Sequence, residues 1–295
     1  MTQSGSSPRQ GLASTPDLYV WRVRPAKSSV LGQLSSLWRF RSLFFPLAVR
    51  ALFSVYRTAI LGIFWMVIRP LMIAVPAIFV VGNLFEISVA PIPLSLFILV
   101  GLAAWLFFRR CLQWFTKSVG RNRVILRRVY VPPLLLLLAS ASPAVFEFLV
   151  VLVLAAATAI FYAIQGTFYV QFGWHTLAAV PALAMCGLMA LAVGCFTSIL
   201  NALARDTWLT MRYVLGLWML ATPVVYPLEV IPESYRWLAY LNPLAAPIEL
   251  FRWAMLGYGT VRWEFVVLAA VQILLILLAG LWFFGKQQNR LFDHM

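Results

Sequence analysis

Residues 57–82 read RTAILGIFWMVIRPLMIAVPAIFVVG. The only charged side chains in the stretch are Arg57 and Arg69. A run of about 20 apolar residues is long enough to cross the hydrocarbon core of a bilayer as a helix. The stretch therefore predicts a membrane span, near 59–82. Arg69 and Pro70 sit together in its middle. A cation is costly at that depth, and a proline removes one rung of the helical ladder.

The rest of the chain is of the same kind. It has 295 residues, 63% hydrophobic and 11% charged, where a soluble domain carries about 25% charged residues. Further apolar runs predict spans near 90–108, 134–163, 174–200, 208–228 and 265–284. The third is too long for one straight crossing, and Pro143 marks the expected bend. The expected fold class is an all-α integral membrane protein with six transmembrane helices.

The net charge of +14 is distributed unevenly. Eight basic residues precede the first span and seven lie in 109–132: Arg109, Arg110, Lys117, Arg121, Arg123, Arg127 and Arg128. Arg205 and Arg212 follow span four, and Lys286 and Arg290 follow span six. The other loops hold only Arg236, Arg252 and Arg262. Basic residues accumulate on the cytoplasmic side, so six spans with both termini inside are expected. The charge follows topology and is spread over four segments without a binding motif, so no nucleic-acid partner is expected. Residues 1–30 carry Arg9, Arg22, Arg24 and Lys27 but no apolar core, which predicts a disordered cytoplasmic tail and no cleavable signal.

Residues 31–58 change character. Val49, Leu52, Phe53 and Tyr56 recur at helical spacing, with Arg50, Ser54 and Arg57 on another face. That pattern predicts an amphipathic helix at the membrane surface, either a positional anchor or a lever feeding the six-span domain, 59–285. Residues 229–262 are long, aromatic and weakly polar. Two short helices split at Asn242-Pro243, dipping into the outer interface, would account for them. Residues 286–295 form a second cytoplasmic tail.

Residues 280–287, GLWFFGKQ, fit the G-x-x-x-x-G-K spacing of a phosphate loop, but the fit is a decoy. Its interior is a membrane span, and Gln287 stands where a magnesium-binding Ser or Thr belongs. Any ATP hydrolysis is therefore expected on another polypeptide. The nine acids do not cluster, and the only histidines are His175 and His294, so an enzyme with acid–base chemistry is disfavoured. Cys111, Cys186 and Cys195 suggest neither a disulfide framework nor a zinc site.

Three segments carry a resemblance. YRTAILGIFWMVIRP (56–70) resembles the Y-R-x-x-x-L-G-x-x-W-x-x-x-x-P opening of type-2 ABC exporter permeases, in the branch exporting O-antigen, capsule and teichoic acid. RRVYVPP (127–133) resembles the basic-aromatic-proline turn before that branch's third span. The 205–252 region opens with RDTW, continues TPVVYPLEVIP and ends LNPLAAPIELFR, similar to the same branch. The likeness covers roughly residues 40–285. It implies a homodimer in a bacterial inner membrane, paired with two copies of a cytoplasmic ATPase that holds ATP and magnesium. The chain itself would bind no cofactor. A lipid-linked polysaccharide would be the substrate; export of drugs or small lipids is the alternative.

The resemblance also implies roles. ATPase coupling falls to the amphipathic helix and the inner loops: Arg50, Arg57, Arg127, Arg128, Arg205 and Asp206. For Arg127 and Arg128, topology alone is the other reading, and Asp206 also stands where it can cap span five. A periplasmic helical hairpin between spans five and six forms a gate, with Tyr226, Asn242, Pro243 and Arg252. Pro70 fits the family pattern and Arg69 departs from it. Candidate pathway residues are Arg69, Glu147, Tyr213 and Trp218. Arg69 can pair with Glu147, meet a substrate diphosphate, or snorkel to lipid phosphates. Trp218 can stack on a sugar ring or pack in the bundle.

Overall fold

A computed structural model describes residues 30–56, 62–87, 89–122, 125, 131–171, 173–204 and 206–293. Among them the regular structure is helical: α1 (Val30–Arg39), α2 (Phe44–Tyr56), α3 (Gly62–Phe79), α4 (Leu94–Arg121), α5 (Pro133–Ala139), α6 (Ser142–Ile164), α7 (Ala179–Leu203), α8 (Thr207–Leu220), α9 (Glu233–Tyr240), α10 (Ala245–Leu256) and α11 (Trp263–Asp293).

Five helical segments among the described residues are long and apolar enough to cross a membrane: Phe64–Leu84, Leu94–Arg121, Pro133–Ile164, Trp174–Leu203 and Trp263–Gln287. They correspond to predicted spans one, two, three, four and six. Predicted span five is different. Its helix, α8, has 14 residues and stops at Leu220, giving about 21 Å at ~1.5 Å per residue. The remaining apolar residues, Ala221 to Val225, are turn and bend. Pro223 and Pro227 have no N–H to continue a ladder, so the apolar run extends beyond its helix.

The amphipathic segment is two helices. Phe40 and a short 3₁₀ turn at Arg41–Leu43 separate α1 from α2. Pro46 is tolerated because it lies in the first turn of α2. The Ser142 hydroxyl donates to Ala48 O at 2.6 Å, tying α2 to the start of α6. Span three breaks at Ser140-Ala141, just ahead of the expected Pro143 bend, and Ser140 Oγ closes the break by donating to Leu137 O at 2.6 Å.

The core lies where α4 packs on α7 and α7 packs on α11. Trp105, Phe108, Leu102 and Leu112 fill the α4 side, while α7 offers Ala182, Cys186, Ala190 and Cys195. Small residues let helices approach where apolar driving force between them is absent. At Gly194 an added Cβ would lie 2.6 Å from Phe115 Cβ, and at Gly280 one would lie 2.6 Å from Ala192 O. Between α4 and α7, Thr116 and Thr197 hydroxyls share a hydrogen bond of 2.7 Å. Outward faces carry exposed Phe64, Met72, Val153 and Leu275, the side chains a lipid solvent accepts.

Two ends of the bundle differ in charge. One end gathers Arg109, Arg110, Lys117 and Arg121 of α4 with Arg212 of α8 and Lys286 of α11. The other gathers Glu86, Glu229, Glu233, Glu249 and Glu264 with Arg236, Arg252 and Arg262. Tryptophans at the basic end sit under cations: Lys117 over Trp208 (4.7 Å), Arg121 over Trp114 (4.7 Å) and Lys286 over Trp282 (5.1 Å).

Candidate functional site: a broken helix and the loop that caps it

A helix that ends inside a bundle leaves its last carbonyls without intrahelical partners. The chain from α8 to α10 supplies those partners. Tyr226 Oη donates to Leu220 O at 3.0 Å, and Thr222 Oγ1 donates to Trp218 O at 2.7 Å. Arg252 Nη2 donates to Pro223 O at 3.0 Å and to Val224 O at 2.9 Å. Asn242 sits between the two halves. Its Oδ1 accepts from Trp218 Nε1 (2.9 Å) and from the Leu244 amide (3.1 Å), and its Nδ2 donates to Thr222 Oγ1 (2.7 Å). Pro243 follows at the break before α10.

Arg252 is 6% exposed. Its guanidinium carbon lies 3.7 Å from the centroid of Phe97 on α4. Gly101, one turn further along α4, makes the room: a Cβ there would stand 2.4 Å from Arg252 Nη2 and 2.5 Å from Val224 O. Burial lowers the arginine's pKa to about 10, so it stays charged at neutral pH. Its Nε–H is buried without a hydrogen-bond partner among the described residues. One turn earlier on α10, Glu249 accepts from Tyr240 Oη at 3.0 Å. Burial raises the Glu249 pKa to about 7, against the opposing pulls of Tyr240 and Arg252. Glu229, Glu249, Arg252, Phe97, Trp253 and Tyr258 line a cleft of about 350 Å³ on this side of the bundle.

Three of the four predicted gate residues, Tyr226, Asn242 and Arg252, thus converge on one capping network, joined by Trp218. The ring of Trp218 packs edge-on to Phe108 (5.4 Å) and Trp105 (6.5 Å), and its N–H is engaged by Asn242. In this structure Trp218 makes the packing contact, one of its two expected alternatives. Tyr213 is 69% exposed on α8. Composition could not single out Gly101, Thr222, Tyr240 or Glu249. A glycine inside an apolar span is itself a signal of close approach, and Gly101 carried that signal.

Arg69 is exposed on α3, its guanidinium carbon 5.9 Å from the Trp65 ring centroid. It lines a small cleft with Pro70, Leu106, Arg110, Glu147 and Phe148. The expected Arg69–Glu147 pair is not the one formed. Arg110 Nε meets Glu147 Oε2 at 2.5 Å, because α4 passes closer to α6 than the sequence could indicate. Arg69 is a neighbour of that pair.

Among the coupling candidates, Arg50 is exposed on α2 and lines a cleft of about 180 Å³ with Trp114, Ser118, Arg121 and Ser140. Asp206 is exposed before α8, and its side chain makes no capping hydrogen bond; its carbonyl accepts from the Thr210 amide at 3.0 Å. The cap expected there is therefore absent, since Asp206 already has helical backbone angles (φ −75°, ψ −14°) rather than the extended ones of a capping residue. Arg57, Arg127, Arg128 and Arg205 lie outside the described residues.

Residues 42–256 match the ABC-2 type transporter family. Two relatives from Klebsiella pneumoniae, each named O-antigen export system permease protein RfbA, are 22% and 23% identical over 243 residues, covering 80% of this chain and 88% of theirs. A third of the same name, from Myxococcus xanthus, is 25% identical over 264 residues, covering 86% of this chain and 95% of its own.

Proposed function

The chain belongs to the ABC-2 type transporter family, and from that premise we propose that it is the permease subunit of an ATP-driven exporter of lipid-linked, O-antigen-like polysaccharide. Similarity to three O-antigen export permeases over 80–86% of the chain carries this reading. The apolar helices give the membrane context. The chain is a transport subunit, and the motor is a separate ATPase, present in two copies around a homodimer of permeases.

In this reading the basic end is cytoplasmic and the chain crosses six times, the fifth crossing being α8 plus the capped segment 221–232. α1 and α2 lie along the inner interface, where the cleft holding Arg50 and Arg121 offers the ATPase a cationic edge. The 228–256 hairpin closes the outer end. Its capping network is a two-state element: breaking the Arg252 and Asn242 bonds together frees the hairpin from α8, whereas breaking one leaves the other holding. Closure of the ATPase dimer would move α2 and α6 through the Ser142–Ala48 bond and shift the bundle beneath that hairpin.

The test is reconstitution of the chain with its ATPase in proteoliposomes. Lipid-linked polysaccharide should raise the rate of ATP hydrolysis several-fold, while the lipid-linked monosaccharide and common ABC drug substrates should not. Stimulation by drugs alone would overturn the glycan reading and favour drug or small-lipid export.

A further inference from the structure

The cleft beside the capping network has a chemistry of its own. Its walls come from distant parts of the chain: Phe97 in the first turn of α4, Glu229 after α8, Glu249, Arg252 and Trp253 on α10, and Tyr258 beyond it. Arg252 is 6% exposed. Its Nη2 donates to Pro223 O and Val224 O, but its Nε–H is buried and has no partner among the described residues. Glu249 accepts from Tyr240 Oη. Neither Glu249 nor Glu229 has an ion pair among the described residues. The walls thus hold one donor without an acceptor and two carboxylates without a paired cation.

Capping α8 does not require this arrangement. The cap uses Nη2 alone, and Arg236 holds the carbonyl of Glu229 rather than its carboxylate. A buried donor left unpaired is costly. Two carboxylates against one guanidinium also leave the cleft short of positive charge. A ligand that answers both needs brings an acceptor oxygen and a cation together. A bare metal ion would bring only the second, and among the described residues no three ligating side chains are grouped to hold one. A primary ammonium carries three donors for the carboxylates and is attracted to ring faces such as those of Trp253 and Tyr258.

Depth selects the kind of ligand. Trp253 packs edge-on to Trp174 (5.7 Å) and to Trp263 (6.0 Å). Those two open the apolar segments Trp174–Leu203 and Trp263–Gln287, and both are exposed. Tryptophans at span ends lie at the level of the lipid headgroups. Trp253 is also a wall of the cleft, so the cleft lies at headgroup depth. The group that brings a phosphate oxygen and an ammonium to that depth is a zwitterionic lipid headgroup. At about 350 Å³ the cleft is at the small end of the range for ligand pockets.

We propose that this cleft binds the headgroup of a zwitterionic phospholipid bearing a primary amine, the amine between Glu229 and Glu249 and a phosphate oxygen on Arg252 Nε. The bound headgroup joins the start of the 228–256 hairpin, α10 and the first turn of α4, and so holds the hairpin on the bundle. The site stands whatever the chain exports, because its ligand is a lipid of the surrounding leaflet.

The test is equilibrium binding of radiolabelled dioleoylphosphatidylethanolamine to the full chain in detergent at pH 8. Glu249, with a pKa of about 7, is ionised there and an alkylamine is still protonated. Each charge-assisted hydrogen bond should be worth roughly tenfold in affinity. Dioleoylphosphatidylcholine, whose nitrogen has no N–H, and dioleoylphosphatidylglycerol, which has no amine, should each compete about tenfold more weakly than the unlabelled parent lipid. Glu249→Gln keeps an acceptor for Tyr240 and should weaken binding about tenfold. Glu229→Gln, at an exposed position, should fold normally and weaken it several-fold. Glu264→Gln, an acid at the same end but outside the cleft, should bind as the parent does. Parent-like binding by the Glu229→Gln, Glu249→Gln double variant overturns the site. Equal competition by phosphatidylcholine or phosphatidylglycerol overturns it too, as an ordinary lipid contact. Equal competition by phosphoethanolamine would mean a soluble ligand, and by stearylamine that phosphate has no part; either result overturns the proposal. The measurement involves no transport, so the export reading and this site fail separately.

Discussion

A guanidinium at 6% exposure is stable only where its donors meet acceptors. Arg252 meets Pro223 O and Val224 O, and the face of Phe97 covers its plane. Both bonds leave the one nitrogen Nη2; a lysine ammonium has donors enough for two carbonyls but no planar group to lie over the ring, and it is more strongly hydrated, so its burial costs more. Arg252→Lys should therefore cost about 3 kcal/mol, read as a lower thermal unfolding midpoint in detergent. Gly101→Ala should produce a loss of the same sign, because its methyl would occupy the space of Arg252 Nη2. Both act on one contact, so the double variant should fall short of the sum. Glu249 adds a pH dependence. Its folded pKa, about 7, lies above the ordinary carboxylate value of 4.5. The folded state thus holds the proton more tightly. That contribution is complete below pH ~4.5 and is lost as pH rises through about 7, by about 3 kcal/mol at most. Thermal scans from pH 5 to 8 should show the midpoint falling with pH, and Glu249→Gln should flatten the slope. Sequence likeness pointed to Arg252 itself. It could not show that the residue holds carbonyls, because those partners are 28 and 29 residues away along the chain.

At the scale of the element, α8 explains what a hydropathy pattern can and cannot reveal. The five long spans are legible because burial in lipid demands about 20 apolar residues, and composition records that demand. The fifth run is equally apolar but helical only over Thr207–Leu220. Apolar residues are compatible with helix or with turn if something else satisfies the backbone. What satisfies it here is a set of side chains from a later segment, which no local window contains. The signals that did exist were Pro223, Pro227 and the Asn242-Pro243 break. Asn242 is the joint of this element, with three hydrogen bonds to Trp218, Thr222 and Leu244. Asn242→Ala should cost about 2 kcal/mol, because it strands a buried indole N–H and a hydroxyl together. Trp218→Phe removes the donor but leaves Asn242 Oδ1 the Leu244 amide, so about 1 kcal/mol is expected. Thermal unfolding of the two variants side by side checks the order. An equal loss would mean that the indole N–H carries the whole network. The Arg110–Glu147 pair makes the same point about register. Arg69 and Glu147 looked like partners by depth, but the rotation of α4 between them put Arg110 in reach first.

For the molecule as a whole, the charge asymmetry predicts which way it should stand in a membrane. Basic side chains crowd one end, and five glutamates share the other with three arginines. Moving many cations across hydrocarbon is far costlier than moving few, so the basic end should remain cytoplasmic. By the same argument α8 should be a true crossing. Trp208 and Lys117 pair at the basic end, whereas Pro223 and Val224 meet Arg252 toward the other. The chain should then change sides between Ala204 and Thr260, although α8 has only 14 residues. Cysteine labelling tests this directly, because Cys111, Cys186 and Cys195 are all buried and should stay silent. Ala204 and Thr260 are both exposed. Thr260→Cys should react with a membrane-impermeant maleimide in intact spheroplasts. Ala204→Cys should react only after the membrane is opened. Reaction of both from the same side would reduce the crossings by one, turn the capped segment into a re-entrant loop, and put the 228–256 hairpin on the ATPase side. It could not then act as an outer gate.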